Sequence, residues 1–77
     1  MRKSASLVTI DVRPLLAAGR EPFDPIFAAA ATLSTGRTLL VISPFLPSPL
    51  IECLRSSGCS AAVLHRDDGV WETRFTR

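Results

Sequence analysis

The stretch RTLLVISPFLPSPLI, residues 37–51, decides the fold of this chain. It opens with an apolar run, residues 39–42, which is typical of a strand covered on both faces. Three prolines follow, Pro44, Pro47 and Pro49. Proline cannot continue a hydrogen-bonded strand, whereas serine followed by proline, as at Ser48 and Pro49, is a common helix start. The stretch therefore predicts a buried strand, a rigid turn and the beginning of a helix.

The residues before this stretch predict a strand, a loop and a helix. Apolar and polar residues alternate over residues 7–13 (LVTIDVR), which indicates a half-buried first strand. Residues 14–21 are predicted to be a loop. The first helix is expected to begin between Pro22 and Pro25, with Asp24 as its cap or Pro22 as its first residue. Residues 34–36 are expected to end it, with Gly36 as a left-handed cap.

The second half of the chain predicts one helix and three strands. The second strand is residues 38–43, and the second helix runs from Pro49 to about Ser57 and ends at Gly58. The third strand is residues 60–66, and the fourth is residues 70–76 with Trp71 and Phe75 on one face. The intervening Asp-Asp-Gly, residues 67–69, predicts a hairpin with a type I′ turn.

The order β-α-β-α-β-β predicts an α/β (α+β) two-layer sandwich with a mixed four-stranded sheet and two helices on one face. We expect the first crossover to join parallel strands, and residues 1–77 to form a single domain with residues 1–6 frayed. Because the second strand is apolar on both sides, the open face of the sheet should keep an apolar patch. That patch predicts a protein partner or a homodimer through the open face, unless loops cover it.

Composition narrows the classes of partner. The 77 residues carry a net charge of +2 and are 47% hydrophobic, which favours a globular domain over a dedicated nucleic-acid binder. No apolar run approaches the ~20 residues that cross a membrane. Two cysteines without a secretory signal favour the cytoplasm. One histidine, His65, with two separated cysteines fits no familiar metal or catalytic spacing, so neither a cofactor nor a catalytic residue is predicted.

Four short motifs carry a family resemblance: DVR at residues 11–13, GREP at 19–22, PFLPSPL at 44–50 and VWETRF at 70–75. In this order the chain resembles the TusA/SirA-like proteins over residues 7–77. It is more similar to an uncharacterised family related to them, domain of unknown function 2249. Such proteins occur alone, fused to hemerythrin-like domains, or near respiratory and nitrogen-oxide genes. The resemblance therefore implies a link to redox or nitrogen-oxide metabolism.

One departure from the TusA pattern bears on chemistry. TusA-type sulfur carriers use a Cys-Pro pair at the start of the first helix, where the helix dipole stabilises a thiolate or persulfide. The corresponding positions here are Gly19 and Arg20, so no sulfur nucleophile stands there. A sulfur relay through Cys59 is the alternative function, since Cys59 is expected to be reachable at a strand start and Cys53 to be buried.

The sequence favours a non-catalytic binding module. Its candidate binding residues lie where the two predicted helices begin: Arg13, Arg20, Glu21, Pro22 and Phe45. Guanidinium groups beside free first-turn N–H groups can bind a small anion, and an exposed aromatic residue suits a protein partner. The competing interpretation is that Arg13 forms only a surface ion pair with Asp11, Asp24 or Glu21.

Overall fold

The computed structural model describes residues 7–77 as a small α+β domain of three helices and four strands. In chain order these are β1 Leu7–Asp11, α1 Arg13–Ala17, α2 Phe23–Ala31, β2 Thr38–Ser43, α3 Ser48–Ser56, β3 Ser60–His65 and β4 Trp71–Thr76. The prediction of frayed residues 1–6 lies outside the described residues.

The four strands form one mixed sheet in the order β1-β2-β4-β3. β2 pairs with β1 in parallel and with β4 in antiparallel, and β3 pairs with β4 in antiparallel. The second predicted strand is therefore confirmed, with its bounds, as a central strand of the sheet. The parallel β1–β2 pair also confirms the expected direction of the first crossover.

One alternating set of strand residues enters the core. Leu39 and Val41 of β2 and Phe75 of β4 are fully buried. They belong to one hydrophobic cluster with residues of both longer helices, Ile26 and Ala30 of α2 and Leu50 and Leu54 of α3. The other set on β2, Leu40 and Ile42, is only half-buried. Successive side chains point to opposite faces, so the face of β2 that carries Leu40 and Ile42 is less completely covered than the face that carries Leu39 and Val41.

The helix α1 was missed by the sequence patterns, which predict a strand to residue 13 and then a loop. Val12 takes a helical backbone conformation, φ −84° and ψ −7°, so β1 ends at Asp11, two residues before the predicted end. Proline is well tolerated in the first turn of a helix, where Pro14 lies, and the following Leu-Leu-Ala has high helix propensity. Gly19, with φ 71°, then turns the chain back.

The two longer helices keep their predicted places but not their predicted caps. Pro22 occupies the N-cap of α2, and Pro47 occupies that of α3, one residue before the predicted Ser48. Neither residue donates or accepts a capping bond through its side chain. Gly36 has the expected positive φ of 85°, but α2 already ends at Ala31, so this glycine shapes the turn into β2 instead.

The β3–β4 hairpin differs from the predicted type I′ turn. Gly69 has a φ of 87°, and no other residue of the hairpin has a positive φ. The Gly69 N–H donates to the carbonyl of Arg66 at 3.0 Å, and the Arg66 N–H donates to Val70 at 2.8 Å. This pattern indicates a three-residue loop with a single left-handed glycine. The loop needs only one position of positive φ, which spares Asp68 from a strained conformation.

The fully buried Thr73 of β4 provides a test of the core. Its hydroxyl has no hydrogen-bond partner in the described chain. In the sheet register Thr73 lies between Val41 of β2 and Val63 of β3, whose side chains offer no polar group. An unsatisfied buried hydroxyl costs stability, so Thr73→Val should raise the free energy of unfolding by about 1 kcal/mol, measured by urea denaturation. The matched control is Thr38→Val, which removes a hydroxyl 3.1 Å from that of Thr76 and should not stabilise. A lower free energy of unfolding in Thr73→Val would contradict the conclusion that the Thr73 hydroxyl is unsatisfied.

Candidate functional site

The candidate site is the rim of the sheet at which the helices start. We call residues 12–22 and 44–47 the helix-start rim. The first segment follows β1 and leads to α2, and the second follows β2 and leads to α3. Because β1 and β2 are parallel, both segments leave the sheet at the same rim. All five candidate binding residues, Arg13, Arg20, Glu21, Pro22 and Phe45, fall on it.

The loop of residues 44–47 is held rigidly. The Ser43 hydroxyl donates to the carbonyl of Phe45 at 2.7 Å, and the Ser48 N–H donates to the carbonyl of Leu46 at 2.9 Å. Two of its four residues are prolines with restricted φ, and one of them, Pro47, is fully buried. The loop thereby fixes Phe45, 39% exposed, and Leu46, 42% exposed, at its tip. The exposed apolar side chains of Phe45 and Leu46 are therefore carried by a rigid backbone.

Glu21 caps α2 from the residue before the N-cap. One carboxylate oxygen, Oε2, accepts hydrogen bonds from the N–H groups of Phe23 and Asp24, each at 2.7 Å. The next residue, Pro25, has no N–H to offer. The predicted cap, Asp24, does not perform this role, because the carboxylate of Glu21 reaches the first two amides itself. An added anion would have to displace this carboxylate.

Arg13 is paired with Asp11. Its Nη2 lies 2.6 Å from Oδ2 of Asp11, its Nε lies 2.9 Å from Oδ1, and its backbone N–H donates to the same carboxylate at 3.0 Å. The side-chain hydrogen bond from Arg13 holds the pKa of Asp11 below its ordinary value, and the same bond raises the pKa of Arg13. The competing interpretation of Arg13, an exposed ion pair, matches this geometry. Such pairs add little stability.

Arg20 and Pro22 complete the rim. Arg20 is exposed, and its backbone N–H donates to the carbonyl of Leu15 at 2.8 Å. Within residues 7–77 its guanidinium makes no hydrogen bond or salt bridge, so its charge is free to meet a ligand. Pro22 is half-buried at the N-cap.

Sequence reasoning missed two exposed apolar residues, Leu46 and Phe27. Leu46 follows Phe45 between two prolines, and both side chains are exposed. Phe27 follows the buried Ile26 in α2, yet its side chain is 39% exposed. The nine-residue α2 buries Ile26 and Ala30, four residues apart, and Phe27 lies about 100° away from Ile26 around the helix.

The expected exposure of the two thiols is reversed: Cys53 is exposed, and Cys59 is 5% exposed within the core cluster. The end of α3 explains the burial. The Cys59 N–H donates to Leu54 at 3.0 Å and the Gly58 N–H donates to Arg55 at 3.1 Å, around a Gly58 φ of 104°. This is the Schellman pattern, in which the residue after the glycine packs against the last turn. Cys59 therefore joins Leu54 in the core.

The remaining chemistry-bearing residues form no cluster. Within residues 7–77, no three His, Cys, Asp or Glu residues lie close enough together to hold a metal ion. His65 is exposed, and its ring stacks on that of Trp71 with centroids 3.8 Å apart. Trp71 and Phe75 were predicted to share one face of the fourth strand; Trp71 is half-buried, whereas Phe75 is fully buried. No helix in the described part of the chain has the length and apolarity needed to cross a membrane.

The fold and the helix-start rim define a small α+β domain with an exposed, rigidly held apolar loop and no grouped metal ligands among residues 7–77. The sequence model of one family, described as an uncharacterized conserved protein (DUF2249), matches residues 9–77. The chain therefore belongs to the DUF2249 family. Neither the curated proteins nor the solved structures yield a match.

The cap formed by Glu21 can be tested through stability. Glu21→Ala leaves two first-turn N–H groups of α2 without their acceptor and should lower the free energy of unfolding by about 1 kcal/mol. Glu21→Gln keeps an acceptor oxygen and should lose less. Chemical denaturation of the three proteins measures both effects. Equal stability of Glu21→Ala and the unmodified chain would contradict the capping role.

The burial of the thiols predicts selective alkylation. In native protein, iodoacetamide should modify Cys53 and leave Cys59 unmodified, because only the thiolate of an accessible cysteine reacts. Peptide mass measurement locates the adduct, and Cys53→Ser provides a control in which native alkylation should cease. Both thiols should react in urea. Rapid native modification of Cys59 would show that the structure opens around it.

Proposed function

We propose that this DUF2249 chain is a non-catalytic binding module that recognises a protein partner through the helix-start rim. The observation that carries the proposal is the exposure of Phe45 and Leu46 at the tip of a proline-flanked loop. Large apolar side chains of this kind usually serve as the anchors of protein interfaces, with aromatic residues prominent among them.

The rigidity of the loop supports a binding role. A flexible loop must lose conformational freedom when a partner orders it, and that loss weakens binding. Here the hydrogen bonds at Ser43 and Ser48 and the ring of Pro47 have already ordered the backbone. Phe45 can therefore enter a pocket on a partner with little further ordering.

A protein partner is favoured over a small anion at the same rim. The first two N–H groups of α2 already donate to Glu21, the third residue is Pro25, and the guanidinium of Arg13 is engaged by Asp11. Arg20 alone among the candidate residues offers an exposed positive charge. We assign it to the polar border of the interface, where charges set orientation and association rate more than affinity.

A TusA/SirA-like two-layer arrangement is part of the proposal. It is supported by the single cluster that α2 and α3 share with one set of strand residues. The resemblance to proteins whose genes lie near respiratory and nitrogen-oxide genes is the reason to propose a partner from redox or nitrogen-oxide metabolism. A homodimer through the open sheet face is the second mode of assembly. The half-buried Leu40 and Ile42 favour it, although Glu72 and Arg74 lie beside them in the register.

The alternative of a sulfur relay depends on Cys59. A persulfide on that residue would have to form inside the core cluster, against Leu54, unless the end of α3 opens. Cys59→Ser should leave partner binding intact if the chain is a binding module and should abolish persulfide loading if it is a relay.

The proposal is tested by a pair of phenylalanine variants with equal exposure. Phe45→Ala removes the anchor on the helix-start rim, whereas Phe27→Ala removes a side chain of the same 39% exposure from α2. Each purified chain is used to capture proteins from an extract of its native cell, with quantitative mass spectrometry as the readout. We expect a protein whose capture falls at least about tenfold in Phe45→Ala but not in Phe27→Ala.

Folding of both variants is checked by circular dichroism before the comparison. Equal capture by Phe45→Ala and the unmodified chain would exclude the loop as the anchor. A separate titration with inorganic phosphate, followed by amide chemical shifts, examines the anion version. Saturable shifts confined to residues near Arg13 and Arg20 would favour the anion over the protein partner.

A further inference from the structure

The strand β3 is an edge strand without the usual protection. It lies at one end of the sheet order, and its residues read SAAVLH, with no Lys, Arg, Asp, Glu, Pro or Gly. Val63 is 44% exposed and Leu64 is 51% exposed. Natural edge strands normally carry a charge, a proline or a bulge that prevents pairing with another chain. The opposite edge strand, β1, ends in the charged Asp11, which pairs with Arg13.

Two hydrogen bonds identify the free backbone groups of β3. The Arg66 N–H donates to Val70 in the hairpin, and the Arg77 N–H donates to Arg37 on the β2 side of β4. Bonded positions alternate along an antiparallel pair. Both hydrogen bonds therefore indicate that the backbone N–H and C=O groups of Ser60, Ala62 and Leu64 face β4. Ala61, Val63 and His65 then direct their N–H and C=O groups away from the sheet.

We propose that β3 pairs in antiparallel with β3 of a second copy of this chain, about a two-fold axis through Val63, to form one continuous sheet. In this register Val63 lies opposite Val63 of the second copy, and Ala61 lies opposite His65. Every outward N–H and C=O of β3 then has a partner, since each opposed pair exchanges two hydrogen bonds. The proposal concerns a different surface from the helix-start rim and from the open face.

The side chains fit this register. Val63 meets its own symmetry mate on one face of the sheet, and Leu64 meets Ala62 of the second copy on the other. Each of the two exposed apolar residues thereby gains an apolar neighbour across the new pair. The His65 ring, stacked flat on Trp71, lies opposite the small Ala61, which leaves room for the stacked pair.

The charges at the ends of β3 favour a second copy over an unrelated peptide. The same register continues past the strand and brings Asp67 opposite Cys59 of the second copy. Within residues 7–77 the carboxylate of Asp67 makes no ion pair or hydrogen bond. Arg77 lies near Gly58, the residue before Cys59. The Nη1 atom of its guanidinium is 4.0 Å from the position that a Cβ on Gly58 would take. The guanidinium donates only to neutral carbonyls, those of Ala30 and Ser57. In this register Asp67 of each copy lies at the same end of the paired strands as Arg77 of the other copy, so the two ends carry charges of opposite sign.

Val63→Pro tests the pairing with little cost to the fold. Proline at an outward-facing position of an edge strand removes an N–H that β4 does not use. We expect the purified chain to sediment as a dimer and Val63→Pro to raise its dissociation constant at least about tenfold, because both copies lose a donor at the axis. Val63→Lys, which opposes two positive charges at the axis, should do the same. Val63→Thr, which keeps the branched shape and the N–H, should remain dimeric.

Two further measurements separate this dimer from other arrangements. On dilution through the transition, amide exchange should quicken at Ala61, Val63 and His65 but not at the intervening Ala62 and Leu64. Leu40→Glu, on the open face, should leave the dimer intact. A chain that is monomeric at millimolar concentration overturns the proposal. So does a dimer that survives both Val63→Pro and Val63→Lys, or one that is lost in Leu40→Glu. None of these results depends on Phe45, so the proposed function is tested separately.

Discussion

Pairing of β2 along both of its edges is the constraint on which the rest of the structure depends. Its parallel pairing with β1 requires a crossover, which α2 supplies, and its antiparallel pairing with β4 requires the chain to return from β3. The strand can hold this position because Leu39 and Val41 are fully buried against the helices. The loop after β2 is then held at both ends, by the hydroxyl of Ser43 and by the Ser48 N–H at the start of α3.

The loop of residues 44–47 connects the stability of the sheet with the proposed recognition of a protein partner. The Ser43 hydroxyl, itself buried, is satisfied by the carbonyl of Phe45, so the bond that completes the strand also orients the exposed aromatic residue. A buried hydroxyl without a partner would cost free energy, as Thr73 does in the same sheet. The apolar tip is therefore a consequence of local hydrogen bonding and needs no ligand to form it.

The helix start beside the loop is satisfied by a group of the chain itself. Here Glu21 provides the negative charge itself, and its carboxylate occupies the first two amides of α2. A negative charge at a helix start is favourable, and because an internal carboxylate supplies it, the exposed apolar loop is left as the distinctive surface of the rim.

The sequence by itself determined the positions of the four strands and two longer helices, the mixed sheet and the membership of the family. The strands and helices follow from the spacing of apolar residues and from proline and glycine, which act over a few neighbouring residues. The family was identified by the resemblance of four short motifs. Glu21 as the cap, the short α1 and the burial of Cys59 were missed. The last could have been read from Gly58, since a residue after such a glycine commonly packs on the helix it ends.

Only the tertiary structure decided the order β1-β2-β4-β3, and with it the surfaces available to partners. Inserting β4 between β2 and β3 makes β3 an outer strand, although its apolar sequence resembles that of the central β2. The alternation of residues along a strand indicates which side chains share a face. It does not indicate which face is covered or which strand lies at the edge of the sheet. Those properties depend on contacts between residues far apart in the chain, such as Val41 with Thr73.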